Sequence, residues 1–158
     1  MKLENPELDG ITHINIYSKA KTELGRLLSN FAYSPMKVAD GEFASVEAYW
    51  YWLNCSHPKR DDLKPLFGFQ AKNLGRELKA KDYPAAEKLE LEFKPKIHQA
   101  LIEKTRANEK LRGLLLESTL PFCHYYVYGN KVLVENSARW LIQMWDQIRN
   151  ELKEGTFK

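Results

Sequence analysis

Glu47 is the residue of this sequence whose setting best suits catalytic chemistry. It follows Ser45 in the segment Ala44-Ser45-Val46-Glu47-Ala48-Tyr49, and the Ser45 hydroxyl can accept a hydrogen bond from the first turn of a helix. A carboxylate in that first turn is stabilised by the helix N-terminus. An anion among apolar and aromatic neighbours can act as a general base or stabilise a cationic transition state. The alternative interpretation is a helix-start glutamate that faces solvent.

Two basic residues further along the chain share one face of a predicted helix. Lys72 and Arg76 are four residues apart, with Gly75 between them. Such a pair can clamp a phosphate group, because arginine supplies paired donors in a fixed geometry. The alternative is a solvated basic face. The residue pattern therefore indicates a phosphate-binding cleft as one of two interpretations.

The elements that would position these residues are predicted from periodicity and turn signals. Pro95 is expected to kink or divide the long helix that is predicted over residues 83–105. The fold class is α+β: a mostly helical single domain packed on a small, mainly antiparallel sheet, with residues 1–10 as lead-in, 11–153 as the domain and 154–158 as tail. The pattern predicts strands over 12–17 and 33–38, a loop over 19–26, helices over 46–54, 61–78, 83–105 and 108–116, a hairpin over 125–135 and a closing helix from 136 or 137 with Trp140, Leu141, Met144, Trp145, Ile148 and Leu152 in the core.

Composition excludes several classes of protein. The net charge of +3 over 158 residues is too weak for tight binding to duplex DNA. No apolar run approaches transmembrane length and no signal sequence is visible, so we expect a soluble, cytoplasmic protein without a membrane partner. Two cysteines make no disulfide framework, and the four histidines lie outside metal-ligand spacing. We therefore expect no metal and no cofactor.

An ordered set of segments carries a family resemblance. The segments are Leu28-Ser29-Asn30-Phe31, Asp40-Gly41, Phe43-Ala44-Ser45-Val46-Glu47-Ala48-Tyr49-Trp50, Ala71-Lys72 with Gly75-Arg76, Lys81-Asp82-Tyr83, the positions Ala100, Lys104, Asn108, Leu111, Leu115 and Thr119, and Trp140 to Arg149. This set runs from about Ile14 to Arg149 and resembles the NADAR, or YbiA-like, family. Short chains of this kind are similar to members found in bacteriophage genomes.

The resemblance implies an N-glycosidase that acts on ribosylated bases. Breaking a C1′–N bond builds positive charge on the ribose, which a nearby anion stabilises, and a carboxylate can also take a proton from the attacking water. Glu47 is assigned this role, and Asn30 is assigned to a ribose hydroxyl or to the water. The remaining assignments are phosphate binding by Lys72, Gly75 and Arg76, and base or ribose binding by Phe31, Trp50, Asp82 and Tyr83.

The sequence departs from the family pattern at two positions. The family's Asp-Trp is Asp82-Tyr83 here, which changes the expected aromatic platform. The family's late acidic residue has no equivalent at Tyr125, and Glu135, across the predicted hairpin, is the candidate to replace it. The second catalytic carboxylate of this chain is therefore assigned to Glu135.

The resemblance leaves several substrates open. Some members hydrolyse ribosylamino-pyrimidine phosphates of riboflavin synthesis, whereas others remove ADP-ribose from guanine bases and so counter DarT-like toxins. The short chain, the departures at Tyr83 and Tyr125, and the similarity to phage-borne members favour the second activity. We expect ADP-ribosylated guanine, in a nucleotide or in single-stranded DNA, as the substrate. The alternatives are the pyrimidine phosphates, a non-catalytic module that binds ADP-ribose or a related nucleotide, and a protein-interaction domain.

Overall fold

The structure is a computed structural model that describes residues 4–81 and 86–158, except for the side chains of residues 81 and 86–90. Short 3-10 helices cover Pro6–Leu8, Arg60–Leu63 and Asn136–Ala138. The helices are α1 (Glu23–Leu28), α2 (Val46–Leu53), α3 (Gly68–Lys81), α4 (Ala86–Ala107), α5 (Glu109–Glu117) and α6 (Arg139–Glu154), and the strands are β1 (Ile14–Asn15), β2 (Met36–Val38), β3 (Gly41–Phe43), β4 (Phe122–Cys123), β5 (Tyr125–Tyr128) and β6 (Lys131–Val134).

The strands of the described residues form three two-stranded sheets. Strands β2 and β3 pair antiparallel, as do β5 and β6, whereas β1 and β4 pair parallel. The hairpin predicted around Gly129-Asn130 is confirmed, because Tyr128 pairs with Lys131 and Gly129 has a φ of +58°. The α+β class, with more helix than strand and mainly antiparallel pairing, is confirmed.

The chain forms two compact units. The first consists of residues 1–29 and 108–158, and the second of residues 30–107. No helix among the described residues combines the length and low polarity needed to cross a membrane. Cys55 and Cys123 are both buried.

Hydrogen bonds to buried polar side chains organise the first unit. The Asp9 carboxylate accepts from the amides of Asn15 and Lys21, both at 2.9 Å. The Asn15 side chain donates to the Tyr125 carbonyl and accepts from the Tyr125 amide, both at 3.0 Å. The segment expected as a polar lead-in is thus tied into this unit through Asp9. Along α6, Leu141, Trp145 and Ile148 are buried as predicted, whereas Trp140, Met144 and Leu152 are half-buried.

Three helices and the β2–β3 hairpin build the second unit. Helix α2 begins after Ser45 as predicted, and its Ala48, Tyr49, Trp52 and Leu53 side chains are buried. The Tyr49 hydroxyl donates to Asp40 at 2.7 Å, and the Trp52 indole donates to Asp61 at 2.9 Å. In α4, Lys104 is fully buried, and this burial lowers its pKa to about 7. Of the aromatic residues of α2, Tyr49 and Trp52 are core residues, whereas Trp50 and Tyr51 are half-buried.

The loop predicted over 19–26 is wrong, and the long helix is not divided at Pro95. The loop expected over 19–26 contains α1, which Thr22 caps by accepting from the Gly25 amide at 2.9 Å. Gly25 lies within this helix, and a Cβ there would lie 2.1 Å from the Asn15 carbonyl oxygen, so glycine permits a close approach. Helix α4 also continues through Pro95. Pro95 and Leu91 are exposed, so water can satisfy the carbonyl that proline leaves without a donor.

Candidate functional site

The N-terminus of α2 is built by hydrogen bonds that hold Glu47 in place. The Ser45 hydroxyl accepts from the Ala48 amide at 3.1 Å and donates to the Leu66 carbonyl at 2.9 Å. The Glu47 amide donates to the Asn30 carbonyl at 2.9 Å. The amides of Glu47 and Ala48 in the first turn therefore already have protein partners. A bound anion would depend on side-chain cations rather than on these two amides.

The carboxyl group of Glu47 has a strongly shifted pKa. The residue is half-buried, and burial raises the pKa of Glu47 to about 7, while Lys72 and Arg76 oppose this rise. Sequence reasoning emphasised the helix N-terminus, which favours the anion, but the loss of hydration outweighs every favourable charge nearby. Such a carboxyl exchanges protons near neutral pH, which suits a general base.

Helix α3 places the two predicted phosphate ligands beside Glu47. Lys72 is half-buried and Arg76 is exposed, and the charge of each acts on the Glu47 carboxyl. The close packing of α3 against α2 depends on Gly75, where a Cβ would lie 2.2 Å from the Tyr51 ring. Gly75 is therefore a packing residue in this structure, and its contribution to phosphate binding stays a prediction.

Phe31 lies at the same site and makes an aromatic pair that the sequence did not reveal. Its ring meets the Phe69 ring edge-on, with centroids 5.1 Å apart. The Lys72 ammonium lies 5.8 Å from the Phe31 centroid and 6.0 Å from that of Phe69. The Gly68 amide donates to the Phe31 carbonyl at 3.1 Å, and Gly68 has a φ of +58°, which favours glycine. The hydrogen bond between Gly68 and Phe31 therefore brings two segments that are far apart in sequence next to each other.

Trp50 has a packing partner in the described structure. Its ring meets Phe93 of α4 edge-on, with centroids 4.7 Å apart, and the residue is half-buried. Its assignment as a base-stacking residue stays a prediction. The other two residues assigned to base or ribose binding, Asp82 and Tyr83, lie outside the described residues.

Glu135, the candidate second carboxylate, belongs to the first unit. Its side chain accepts from the Ser137 amide at 3.1 Å and also pairs with the Ser137 hydroxyl, so it caps the 3-10 helix at Asn136–Ala138. This local role accounts for the conformation of Glu135. Its assignment to catalysis stays a prediction.

Tyr125, where the sequence departs from the pattern of the NADAR family that it resembles, is fully buried. Its hydroxyl pairs with the His13 Nε2 atom at 2.6 Å, and burial raises the pKa of Tyr125, so the phenol is neutral at physiological pH. Tyr125 therefore supplies no anion.

No group of three or more histidine, cysteine or acidic residues suited to a metal ion occurs in the part of the chain that the structure describes.

Phe69 and Tyr51 are the main site contributors missed by sequence reasoning. The only signal for Phe69 was the Phe67-Gly68-Phe69 segment, where glycine separates two aromatic residues.

Comparison with known proteins gives a fold relationship. No family model matches the chain, and no curated protein does. Among solved structures, the NMR structure of the E. coli protein YbiA is similar, with a TM-score of 0.66 and 21% sequence identity over 94% of this chain and 92% of that chain. This likeness covers nearly all of both chains, and it shows that this chain adopts the fold of YbiA.

Proposed function

We propose that this protein is an N-glycosidase that removes ADP-ribose from guanine bases, with Glu47 as its catalytic carboxylate. The observation that carries the proposal is a half-buried carboxyl with a pKa of about 7 beside two cations, Lys72 and Arg76. A base that titrates near the working pH is the most effective general base. The fold shared with YbiA and the resemblance of the sequence to NADAR N-glycosidases support the same reaction.

The reaction needs one anion and one water molecule. The C1′–N bond of the ribosylated base breaks, the water oxygen bonds to C1′, and the Glu47 carboxylate takes the water proton. Glu47 passes this proton on to the nitrogen of the leaving base, which regenerates the carboxylate, so one water is consumed and the atoms and charges balance. The anionic form of Glu47 also stabilises the positive charge that develops on the ribose. Asn30, whose carbonyl holds the Glu47 amide, is assigned to the ribose hydroxyl or the water.

The cations favour a substrate that carries phosphate groups. Lys72 and Arg76 lie one turn apart on α3, and ADP-ribose has two phosphates that such a pair can bind. The Phe31 ring, held next to Lys72, provides an apolar face for a base or ribose. We therefore assign ADP-ribosylated guanine, in a nucleotide or in single-stranded DNA, as the substrate.

Tyr125 favours a second candidate function, a non-catalytic module that binds ADP-ribose or a related nucleotide. A neutral, buried phenol stands where the family has an acidic residue, and Glu135 is engaged as a cap. If one carboxylate is insufficient for hydrolysis, the site would bind this ligand without cleaving it.

Replacement of Glu47 tests the proposal directly. Glu47→Gln removes the anion at nearly constant size, so turnover of ADP-ribosyl-guanosine should fall by roughly two orders of magnitude or more. The matched control is Glu42→Gln, the same change at an exposed glutamate of β3, which should keep wild-type turnover. Released guanosine is measured by chromatography, and circular dichroism checks that each variant is folded.

A side-by-side assay on a ribosylamino-pyrimidine phosphate identifies the substrate. Preference for ADP-ribosyl-guanosine supports the proposal, and the opposite preference assigns the protein to the pyrimidine. Wild-type turnover by folded Glu47→Gln would refute the role of Glu47. Tight binding of ADP-ribose without turnover of either substrate would favour the binding module.

A further inference from the structure

The second unit exposes a group of aromatic rings, here called the aromatic quartet: Phe31, Tyr33, Phe67 and Phe69. The exposed fractions of Tyr33, Phe67 and Phe69 are 60%, 45% and 59%. Aromatic side chains are among the residues that contribute most to binding, and a contiguous exposed group of them marks a site of interaction. None of these three exposed rings is needed for the N-glycosidase chemistry assigned to Glu47.

The quartet is formed by two chain segments that run side by side. Phe31 pairs with Phe69 and Tyr33 pairs with Phe67, each with ring centroids 5.1 Å apart. The hydrogen bond from the Gly68 amide to the Phe31 carbonyl fixes the two segments together. Since Tyr33 follows Phe31 by two residues and Phe67 precedes Phe69 by two, the ring pairs are successive steps along one surface.

The positive charge of Lys72 beside the rings favours a ligand that carries negative charge. The Lys72 ammonium lies within 6.0 Å of the Phe31 and Phe69 centroids, and its charge also acts on the Glu47 carboxyl. The Phe31–Phe69 pair of the quartet therefore lies beside Lys72 of the candidate catalytic site. Proteins that bind single-stranded nucleic acids combine the same two features, aromatic rings for the bases and cations for the backbone.

We infer that the aromatic quartet is a subsite that stacks the unpaired bases next to the nucleotide held at Glu47. The ligand is a single-stranded nucleic acid, since duplex bases are already stacked and cannot reach the rings. The position of the reacting nucleotide rests on the proposed function. Binding of an unmodified strand by the quartet does not require turnover, so the two proposals are tested separately.

The test is fluorescence anisotropy with a labelled, unmodified eight-nucleotide thymidine strand and with the duplex of the same length. Wild type should bind the single strand more tightly than the duplex. Tyr33→Ala, Phe67→Ala and the double variant should each lose at least about fivefold in affinity, the low end of the effect of one stacked base. Both positions are exposed, so the variants should fold, and circular dichroism verifies this.

Tyr128→Ala is the matched control, because Tyr128 is 56% exposed but lies in the first unit. It should bind the strand like wild type. Unchanged affinity of the quartet variants, equal losses in Tyr128→Ala, equal binding of strand and duplex, or no binding of the strand would each overturn the subsite. Strand binding that needs the quartet, without hydrolysis of ADP-ribosyl-guanosine, would refute the proposed function alone. Hydrolysis with no role of the quartet in strand binding would refute the subsite alone.

Discussion

At the scale of single residues, the pKa of Glu47 results from opposing effects of different size. Burial raises the pKa of this carboxyl to about 7, although Lys72 and Arg76 favour its charged form. The loss of hydration is therefore the larger effect. If the two cations bind phosphate, the ligand neutralises them, and the Glu47 pKa rises further on binding. The Glu47 carboxyl would then hold its proton more tightly in the complex than in the protein without ligand.

The pH dependence of turnover provides a prediction for Lys72. Glu47 must be deprotonated to act, so kcat/KM should rise with pH through about 7 in the wild type. Lys72→Met removes the cation that lowers the Glu47 pKa most. The rising limb should therefore move to higher pH by about one unit, the effect of a single nearby opposite charge. The profile is measured with ADP-ribosyl-guanosine at constant ionic strength.

Lys79→Met is the control for that profile, since Lys79 is an exposed residue of the same helix that does not affect the Glu47 pKa. Its rising limb should match that of the wild type. A shift of the Lys72→Met limb to lower pH, or no shift, would show that Glu47 is not the group that limits the rate.

The residues that the sequence assigned to the site, Asn30, Phe31, Glu47, Lys72 and Arg76, all lie in the second unit, and their roles there stay predictions. A capping serine and an i, i+4 basic pair are local signals, and local signals are readable from sequence. The raised pKa was not predictable, because it depends on how much water distant segments exclude from one carboxyl. The Phe31–Phe69 pair likewise depends on a hydrogen bond between segments remote in sequence.

At the scale of elements, α2 and α3 pack tightly against each other at Gly75. A Cβ there would lie 2.2 Å from the Tyr51 ring, so Gly75→Ala must push the helices apart or displace the ring. We expect a loss of about 1–3 kcal/mol in the free energy of unfolding, measured by urea denaturation. Because the helices carry Glu47 and Lys72, turnover should fall as well.

Gly113→Ala is the matched control, because Gly113 lies inside α5 and a Cβ there would meet nothing within 4 Å. The higher helix propensity of alanine should raise the free energy of unfolding by about 0.5–1 kcal/mol. Equal effects of the two substitutions would mean that Gly75 is not a contact point between helices.

The same glycines show what limited the prediction of elements. Ser45 and Asn108 mark helix starts that the sequence located, and Gly129-Asn130 marked its hairpin. Gly25 was interpreted as a loop residue, and nothing in the sequence indicated that Gly75 is a packing residue, whatever its predicted part in phosphate binding. Both lie inside helices where another part of the protein comes too close for a side chain. Some glycines are needed because a neighbouring group leaves no room for a side chain, and others because the backbone adopts a conformation that only glycine tolerates. The two kinds look the same in a sequence, and only the packing partner distinguishes them.

At the scale of the whole molecule, the ligand-forming side chains of the described residues predict turnover without a metal ion. The described residues contain no cluster of three that suits a metal ion, and the proposed chemistry requires only an anion and water. Turnover of ADP-ribosyl-guanosine should therefore be unchanged after dialysis against EDTA, compared with protein dialysed against matched buffer. Loss of turnover that Zn²⁺ or Mg²⁺ restores would contradict this prediction.

The route of the chain through its two units has a consequence for protein synthesis. Asn15 binds Tyr125 through hydrogen bonds that span 110 residues, so the first unit joins the beginning of the chain to its last third. At about 5–20 residues per second, the ribosome needs roughly 5 to 20 seconds to deliver that partner. During this interval Ile14, Ile16, Leu24 and Leu28, all buried in the finished protein, lack residues 108–158 of their own unit. The second unit is continuous in sequence, so all of its residues leave the ribosome before residues 108–158 do, while the apolar residues at the start of the first unit still lack their partners.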